Sequence, residues 1–349
     1  MKRIIVAILF LSGVATAEWQ KMNVATTASF RGLSVVSATV VWASGTEGTV
    51  IRTIDGGKNW SVIHVAGAEH LDFRGIKAFD EKRAVIISSG PAEKGQAKIY
   101  RTTDGGMTWT QVYEDKRAGV FFDAIAFSDH KHGIVLSDPV DGKFALFTTD
   151  DGGTHWKQLQ PATLPPALAN EGAFAASNSC LAVHARKVWF ATGGASVARV
   201  FRSGDRGKHW SVTETPMHPV NASSGLFSLA FLDEKFGIVV GGDYGNPDAS
   251  DLPDLLVTFD GGKTWMISKS NNYSGPYFSA VSIGRVPSDG RIGWVTAAGT
   301  RGSYLAAIAT DKTWIRTSAE NINAIAGAWA VGPKGAVLHE VVLIRDRFN

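Results

Sequence analysis

Residues 53–60 read TIDGGKNW: a carboxylate, Asp55, beside two glycines and shortly before Trp60. Taken once, such a turn could bind a metal, cradle a phosphate or do acid/base work. It recurs, however, as TTDGGMTW (102–109), TDDGGTHW (149–156), SGDRGKHW (203–210) and TFDGGKTW (258–265), and a decayed copy, ATDKTW, ends at Trp314. The shared pattern is Ser/Thr-x-Asp-x-Gly-x-x-Trp, and the tryptophans fall 47 to 55 residues apart. A period of that length is the mark of a repeat architecture, in which each repeat is one supersecondary unit.

Working outward from the first copy, FRGLSVV (30–36), TVVWAS (39–44), TVIRT (49–53) and WSVIHV (60–65) are short runs rich in β-branched and aromatic residues, bounded by Gly, Asp and Ser. No window sustains a helical period. Four antiparallel strands per 40–50 residues predict a propeller blade. The first strand of each unit aligns as FRGLSVV, FRGIKAF (73–79), FDAIAFS (122–128), FAASNSC (174–180), FSLAFLD (227–233), FSAVSIG (278–284) and INAIAGA (322–328). The fold expected is all-β: a single seven-bladed β-propeller over 18–349, with blades at about 30–65, 73–113, 121–159, 173–215, 225–268, 277–318 and 321–343. The last unit lacks a fourth strand. EWQKMNV (18–24), carrying Trp19, resembles the other fourth strands and is expected to complete that blade, which removes a free sheet edge.

The chain opens with Lys2 and Arg3, an apolar run from Ile4 to Val14 and the small residues Ala15-Thr16-Ala17, the layout of a secretory signal peptide over 1–17. That run is too short for a membrane span of about 20 apolar residues, and no other stretch approaches one. Export to the periplasm or beyond is expected. Removing Lys2 and Arg3 lowers the net charge from +3 to +1, a balance that gives no reason to expect a nucleic-acid partner. The single cysteine, Cys180, excludes an internal disulfide and reads as a small buried hydrophobe. No cofactor fingerprint or metal-ligand spacing is present. DHKH (129–132) aligns with the strand-one-to-two turns DEKR (80–83) and DEKF (233–236) and reads as a polar hairpin. A monomer is expected.

The octapeptide is the hairpin between third and fourth strands. Glycine permits the positive φ that such turns require, an Asp accepts bonds from nearby backbone N–H groups, and the Trp supplies a large aromatic to bury. In this the chain resembles the Asp-box, or BNR-repeat, propellers, and the resemblance covers essentially the whole chain after the leader. It implies that Asp55, Asp104, Asp151, Asp205 and Asp260 are scaffold. It also implies that ligands bind on the opposite face, at the mouth of the central channel.

The residue after each leading aromatic or apolar position reaches that mouth: Arg31, Arg74, Asp123, Ala175, Ser228, Ser279 and Asn323. Six of the seven are polar, which fits a solvated channel wall. They also fit an anion clamp made by Arg31 and Arg74, with Asp123 as a partner for Arg74. Loops on the same face add Glu171, Asp138 in SDPVDGK (137–143), Asp243 and Tyr244 in GGDYGNPDASDLPD (241–254), and Arg301.

Among Asp-box families the chain most resembles the photosystem II stability/assembly factor-like propellers, through FRGLSVVSATVVWASGTEGTVIRTIDGGKNW (30–60) and IYRTTDGGMTW (99–109). That resemblance implies an exported, non-enzymatic scaffold that holds a protein partner, with Arg31 and Arg74 as the positions carried over. The alternative is a glycoside hydrolase acting on a glycan, in which Asp123 and Glu171 would be the carboxyls. Against it, the sialidase Arg-Ile-Pro element is missing, since Arg31 and Arg74 are followed by Gly-Leu and Gly-Ile.

Overall fold

The computed structural model describes residues 14–249, 255–268, 276–285, 292–306 and 314–345. Seven four-stranded antiparallel sheets follow one another around a ring. In blade one the strands are Phe30–Val35, Val41–Gly45, Thr49–Thr53 and Ser61–His64, from the channel outward. The second strands are covered on both faces by neighbouring blades. Val41–Gly45 and Ala84–Ser88 are therefore buried throughout and read as unbroken runs of apolar and small residues. The fourth strands face solvent on one side and are polar there.

Blade seven is built from both ends of the chain. Val14–Lys21 pairs antiparallel with Val337–Arg345, placing Trp19 opposite Glu340. The N-terminal strand thus completes the last blade, as expected. Residues 15–17 lie within this strand, and Glu18–Lys21 form its second half. Residues 1–13, the Asp-box remnant before Trp314 and positions 250–254 of the blade-five loop lie outside the described residues.

Each repeat tryptophan packs into a core shared with the preceding blade. Trp60 meets Trp329 of blade seven edge-on at 5.6 Å, and Trp109 meets Trp42 of blade one at 6.4 Å. Trp156 shares a cluster with Val85, Trp210 with Ile134, Trp265 with Trp189 and Trp314 with Phe236. Trp19 packs against a cluster that includes Ala280 and Ala298 of blade six. The tryptophans are what ties blade to blade.

The Asp-box carboxylates close their own turns. In the first, Asp55 Oδ1 accepts from the Asn59 backbone N–H at 2.9 Å and the Thr53 hydroxyl at 2.8 Å, and Oδ2 from the Asn59 side chain at 2.7 Å. The Thr53 hydroxyl in turn accepts from the Gly57 N–H at 2.9 Å. The same set recurs around Asp104, Asp151, Asp205 and Asp260. These donors hold all five carboxylates at about 2, ionised at neutral pH. The second glycine of every box sits at φ between 83° and 87°, where a side chain would be strained.

One expected strand is not a strand. FAASNSC aligns with the innermost strands of the other blades, but in blade four that strand is Leu181–His184, and 174–180 is irregular. The reason lies in composition: Ala, Ser and Asn lack the branched side chains that favour a pleated surface, and offer short polar groups instead. The segment crosses the channel. The Asn178 side chain accepts from Ile125 N–H at 2.8 Å and donates to Ile76 C=O at 3.4 Å, and Ser177 donates to Ser279 C=O at 2.6 Å. Ser179 and Ser228 share a bond of 2.7 Å. Blades two, three, five and six are thereby joined through a plug, and the channel becomes a cup.

Candidate functional site

Above the plug lies a cavity of ≈ 680 Å³ on the face opposite the Asp boxes. What aims side chains into it is a repeated irregularity. In blade one, Phe30 pairs with Gly45 and Gly32 with Ser44, so Arg31 is an extra residue in the ladder. The same bulge falls at Arg74 in blade two and Asp123 in blade three. A bulge re-aims the extra side chain, and these three all line the cup. In blade five the bulged residue is Phe227, because Leu226 rather than Phe227 takes the leading position. Ser228, expected at the mouth, is instead buried and donates or accepts within the plug.

The two arginines share one cavity but differ in their bonds. Arg74 Nε donates to Asp72 Oδ2 at 2.6 Å, so its partner is the residue two positions back and not Asp123. Among the described residues Arg31 has no carboxylate partner; its Nη1 donates to Ala176 C=O of the plug at 3.3 Å. Burial, and then the positive charge of Arg74, hold the Arg31 guanidinium below its ordinary value. It remains a cation at neutral pH with most of its donors open to the cup.

Two carboxyls line the same cavity, both from blade three. Asp123 is 1% exposed, and its Oδ2 has no hydrogen-bond partner among the described residues. Burial and the charge of Asp138 push its carboxyl well above the usual range. Asp138 accepts from the Ala173 N–H at 3.0 Å, and burial pushes it up to about 6. Cys180 lies beneath, buried, its thiol pushed well up by burial; a neutral thiol is inert.

The third wall is aromatic. Phe174 stacks on Phe227 at 4.1 Å, and Tyr277 meets Phe227 edge-on at 4.8 Å, with Tyr244 half-exposed over both. Of these only Tyr244 is an expected site residue. The aromatic doublets at the strand entrances, Phe121-Phe122 and Tyr277-Phe278, are the sequence signal for the rest: the second ring enters the blade core and the first faces the cup. The rim is tightened by Gly193 and Gly225, where a side chain on either would meet the other's backbone at 2.5 Å.

Three other expected site residues are engaged elsewhere. Glu171 is buried in blade four, where Oε1 accepts from Arg199 Nε at 2.9 Å and Thr192 Oγ1 at 2.6 Å, and Oε2 from Leu168 N–H at 2.8 Å and Arg199 Nη2. The carboxyl that the structure brings to Asp123 is thus Asp138 and not Glu171. Asp243 locks its own loop through Ser223, Asn221 and the Gly245 N–H. Arg301 pairs with Asp248 on the outside. Ser279 and Asn323 line the cup but serve ring closure, with Asn323 donating to Phe30 C=O at 2.9 Å and Ser279 to Asn323 C=O at 3.0 Å. On the Asp-box face, Asp129 accepts from the backbone N–H groups of Lys131 and His132, which makes DHKH a polar hairpin. Among the described residues no group of three or more His, Cys, Asp or Glu could hold a metal, and no helix is long and apolar enough to cross a membrane.

Asp123 has a measurable cost. Its folded pKa is raised above the unfolded value of about 3.9. Below that pH both states carry the proton and nothing is lost. As pH rises, the unfolded chain ionises first and stability falls until the folded pKa is passed. Asp123→Asn is therefore expected to match the wild type in Tm at pH 4 and to exceed it by a few degrees at pH 8. A difference independent of pH would contradict this.

The fold and the closed cup define the class: a seven-bladed Asp-box propeller with a charged and aromatic pocket on one face. The family model described as photosynthesis system II assembly factor YCF48 matches residues 11–120. Over its whole length the chain superposes on the structure described as YCF48 bound to D1 peptide, with a TM-score of 0.61 and 18% identity, covering 93% of this chain and 97% of that one. The WD40 β-propeller domain of Doa1 superposes with a TM-score of 0.54 at 12% identity, covering 94% and 97%. YCF48 from Cyanidioschyzon merolae matches at 14% identity and a TM-score of 0.40, covering 92% and 98%. No curated protein sequence matches the chain. The chain resembles the photosystem II assembly factor family of propellers, most directly in its first third.

Proposed function

We propose that this chain is an exported, non-enzymatic binding factor that holds a segment of a protein partner in the cup, acting as a single ring. The observation that carries this is the closed pocket in which Arg31 presents an unneutralised guanidinium beside an aromatic wall. Such a pocket suits an acidic group on an extended peptide, with the rings covering neighbouring side chains. The resemblance to the assembly-factor family and to a propeller described with a bound peptide supports the reading. Lys2, Arg3, the apolar run and Ala15-Thr16-Ala17 support export.

The test is capture from the host's own envelope extract on the Glu18–Asn349 chain, compared with Arg31→Ala/Arg74→Ala. A charge-assisted bond contributes about 1.5–3 kcal/mol, so a specific protein should be retained by the wild type and reduced at least roughly tenfold in the variant. An identical retained set would refute the reading. One observation favours the second reading, a glycoside hydrolase: Asp138 at about 6 lies in the range of a general acid, with Asp123 beside it. Glycan turnover abolished by Asp138→Asn would favour it over the first.

A further inference from the structure

We propose that the cup also receives a lysine or arginine side chain of the bound segment, held between Asp123 and Asp138, so that its ligand is a peptide carrying an acidic and a basic residue together. This rests on the peptide-binding reading above and specifies the ligand further.

The argument begins with an orphan. Asp123 is almost wholly buried, is turned into the cavity by a bulge, and has an Oδ2 with no donor. Leaving a buried acceptor unsatisfied costs about 1–3 kcal/mol, and buried polar groups in folded proteins otherwise find partners. Folding alone gives no reason for a carboxyl at this place, whereas blades one and two carry arginines at the same position. Among the described residues no cation is bonded to it: Arg74 lies near enough to favour its charged form, but Arg74 Nε is bonded to Asp72, and Arg31 to the plug. Cys180 below is neutral.

A second carboxyl faces the same space. Asp138 stands at the end of the adjoining strand of blade three, fixed by the Ala173 N–H. Gly172 leaves room for it: a side chain there would meet Asp138 Oδ1 at 3.0 Å. Two carboxyls facing one pocket repel, and one keeps its proton; both are shifted up here. An ammonium or guanidinium entering between them replaces that proton and supplies the missing donors to Oδ2. A metal ion fits less well, since two carboxyls are the whole set. The cup then offers three kinds of wall: Arg31 for an acid, Asp123 and Asp138 of blade three for a base, and the rings of blades four to six.

The test is an array of blocked decapeptides, N-acetylated and C-amidated, that vary independently in Asp/Glu and Lys/Arg content. It is probed with the wild type, Asp123→Asn/Asp138→Asn and Arg31→Ala. The Asn substitutions are isosteric and keep an acceptor for the Ala173 N–H. At pH 7.5 the wild type should retain mixed-charge peptides roughly tenfold better than acid-only ones. That advantage should vanish in the double Asn variant, which still prefers acids, and at pH 5 in the wild type. Equal retention of acid-only and mixed peptides, or a basic preference that survives the double substitution, overturns this inference and leaves the peptide-binding reading standing. Retention of no peptide by the wild type overturns both.

Discussion

Arg199→Met is expected to lower the stability of the folded chain by about 3–5 kcal/mol, the cost of leaving one partner of a buried ion pair uncompensated. Both groups are about 5% exposed, and Arg199 meets Glu171 through two nitrogens while Nη2 also donates to Pro166 C=O at 2.8 Å. Its guanidinium lies over the Phe201 ring at 4.9 Å. The pair fixes the start of the segment that leads through Gly172 and Ala173 into the plug. Losing it should therefore also disturb the floor of the cup and Asp138. Glu171→Gln in the same chain removes the stranded charge, keeps an oxygen to accept from the Leu168 N–H while its NH2 faces the Thr192 hydroxyl, and should restore more than half of the loss. Urea midpoints of the three chains decide the matter. A single variant within about 1 kcal/mol of the wild type, or a double variant less stable than the single, would contradict the account.

Why the ring is legible in the sequence while this ion pair is not follows from range. Asp55, Thr53, Gly57 and Asn59 make all their turn bonds within four residues of one another, so the physics of the turn is written in eight letters and repeated. Trp60 and its counterparts repeat with the turn, which gives the blade count. Glu171 and Arg199 are 28 residues apart, and nothing local in LPPALANEGAF says which cation its glutamate will meet. The same stretch shows why aligning by aromatics misleads. Phe174 aligns with Phe30 as a letter, but the six residues after it carry no β-branched side chain and form the plug.

Which side chains face the cup follows the bulge where the bulge is regular. Arg31, Arg74 and Asp123 follow an aromatic that pairs with the second strand, and the extra residue faces the cup. In blade five two apolar residues, Leu226 and Phe227, compete for the leading place, and the smaller enters the core while Phe227 joins the aromatic wall. Pairing inside the cup is beyond pattern altogether: Arg74 finds Asp72 because the carboxylate two residues back is within reach on the same strand entrance, which leaves Asp123 without the partner expected for it.

Removing the N-terminal strand is expected to have the second large effect, and it tests closure of the ring directly. A chain beginning at Glu18 keeps four ladder positions, Glu18 to Lys21, against Val341 to Leu338. A chain beginning at Asn23 keeps none. The loss comprises the ladder bonds, each about 0.5–1.5 kcal/mol net, and the packing of Trp19, which lies against the cluster containing Ala280 and Ala298 and donates from Nε1 to Thr317 Oγ1 at 3.3 Å. Trp19 thus ties the N-terminal strand to the outer strand of blade six. A deficit on the order of 3 kcal/mol follows after the entropy of ordering the strand. The exposed edge of Val337–Arg345 should in addition pair with other chains, since an unpaired strand is a template for association. The chain from Asn23 should therefore melt lower and self-associate in sedimentation, and a peptide of residues 14–22 added in trans should reverse both changes. Equal melting of the two chains would show that blade seven is held by its other three strands alone, with the ring closed through Trp60 against Trp329.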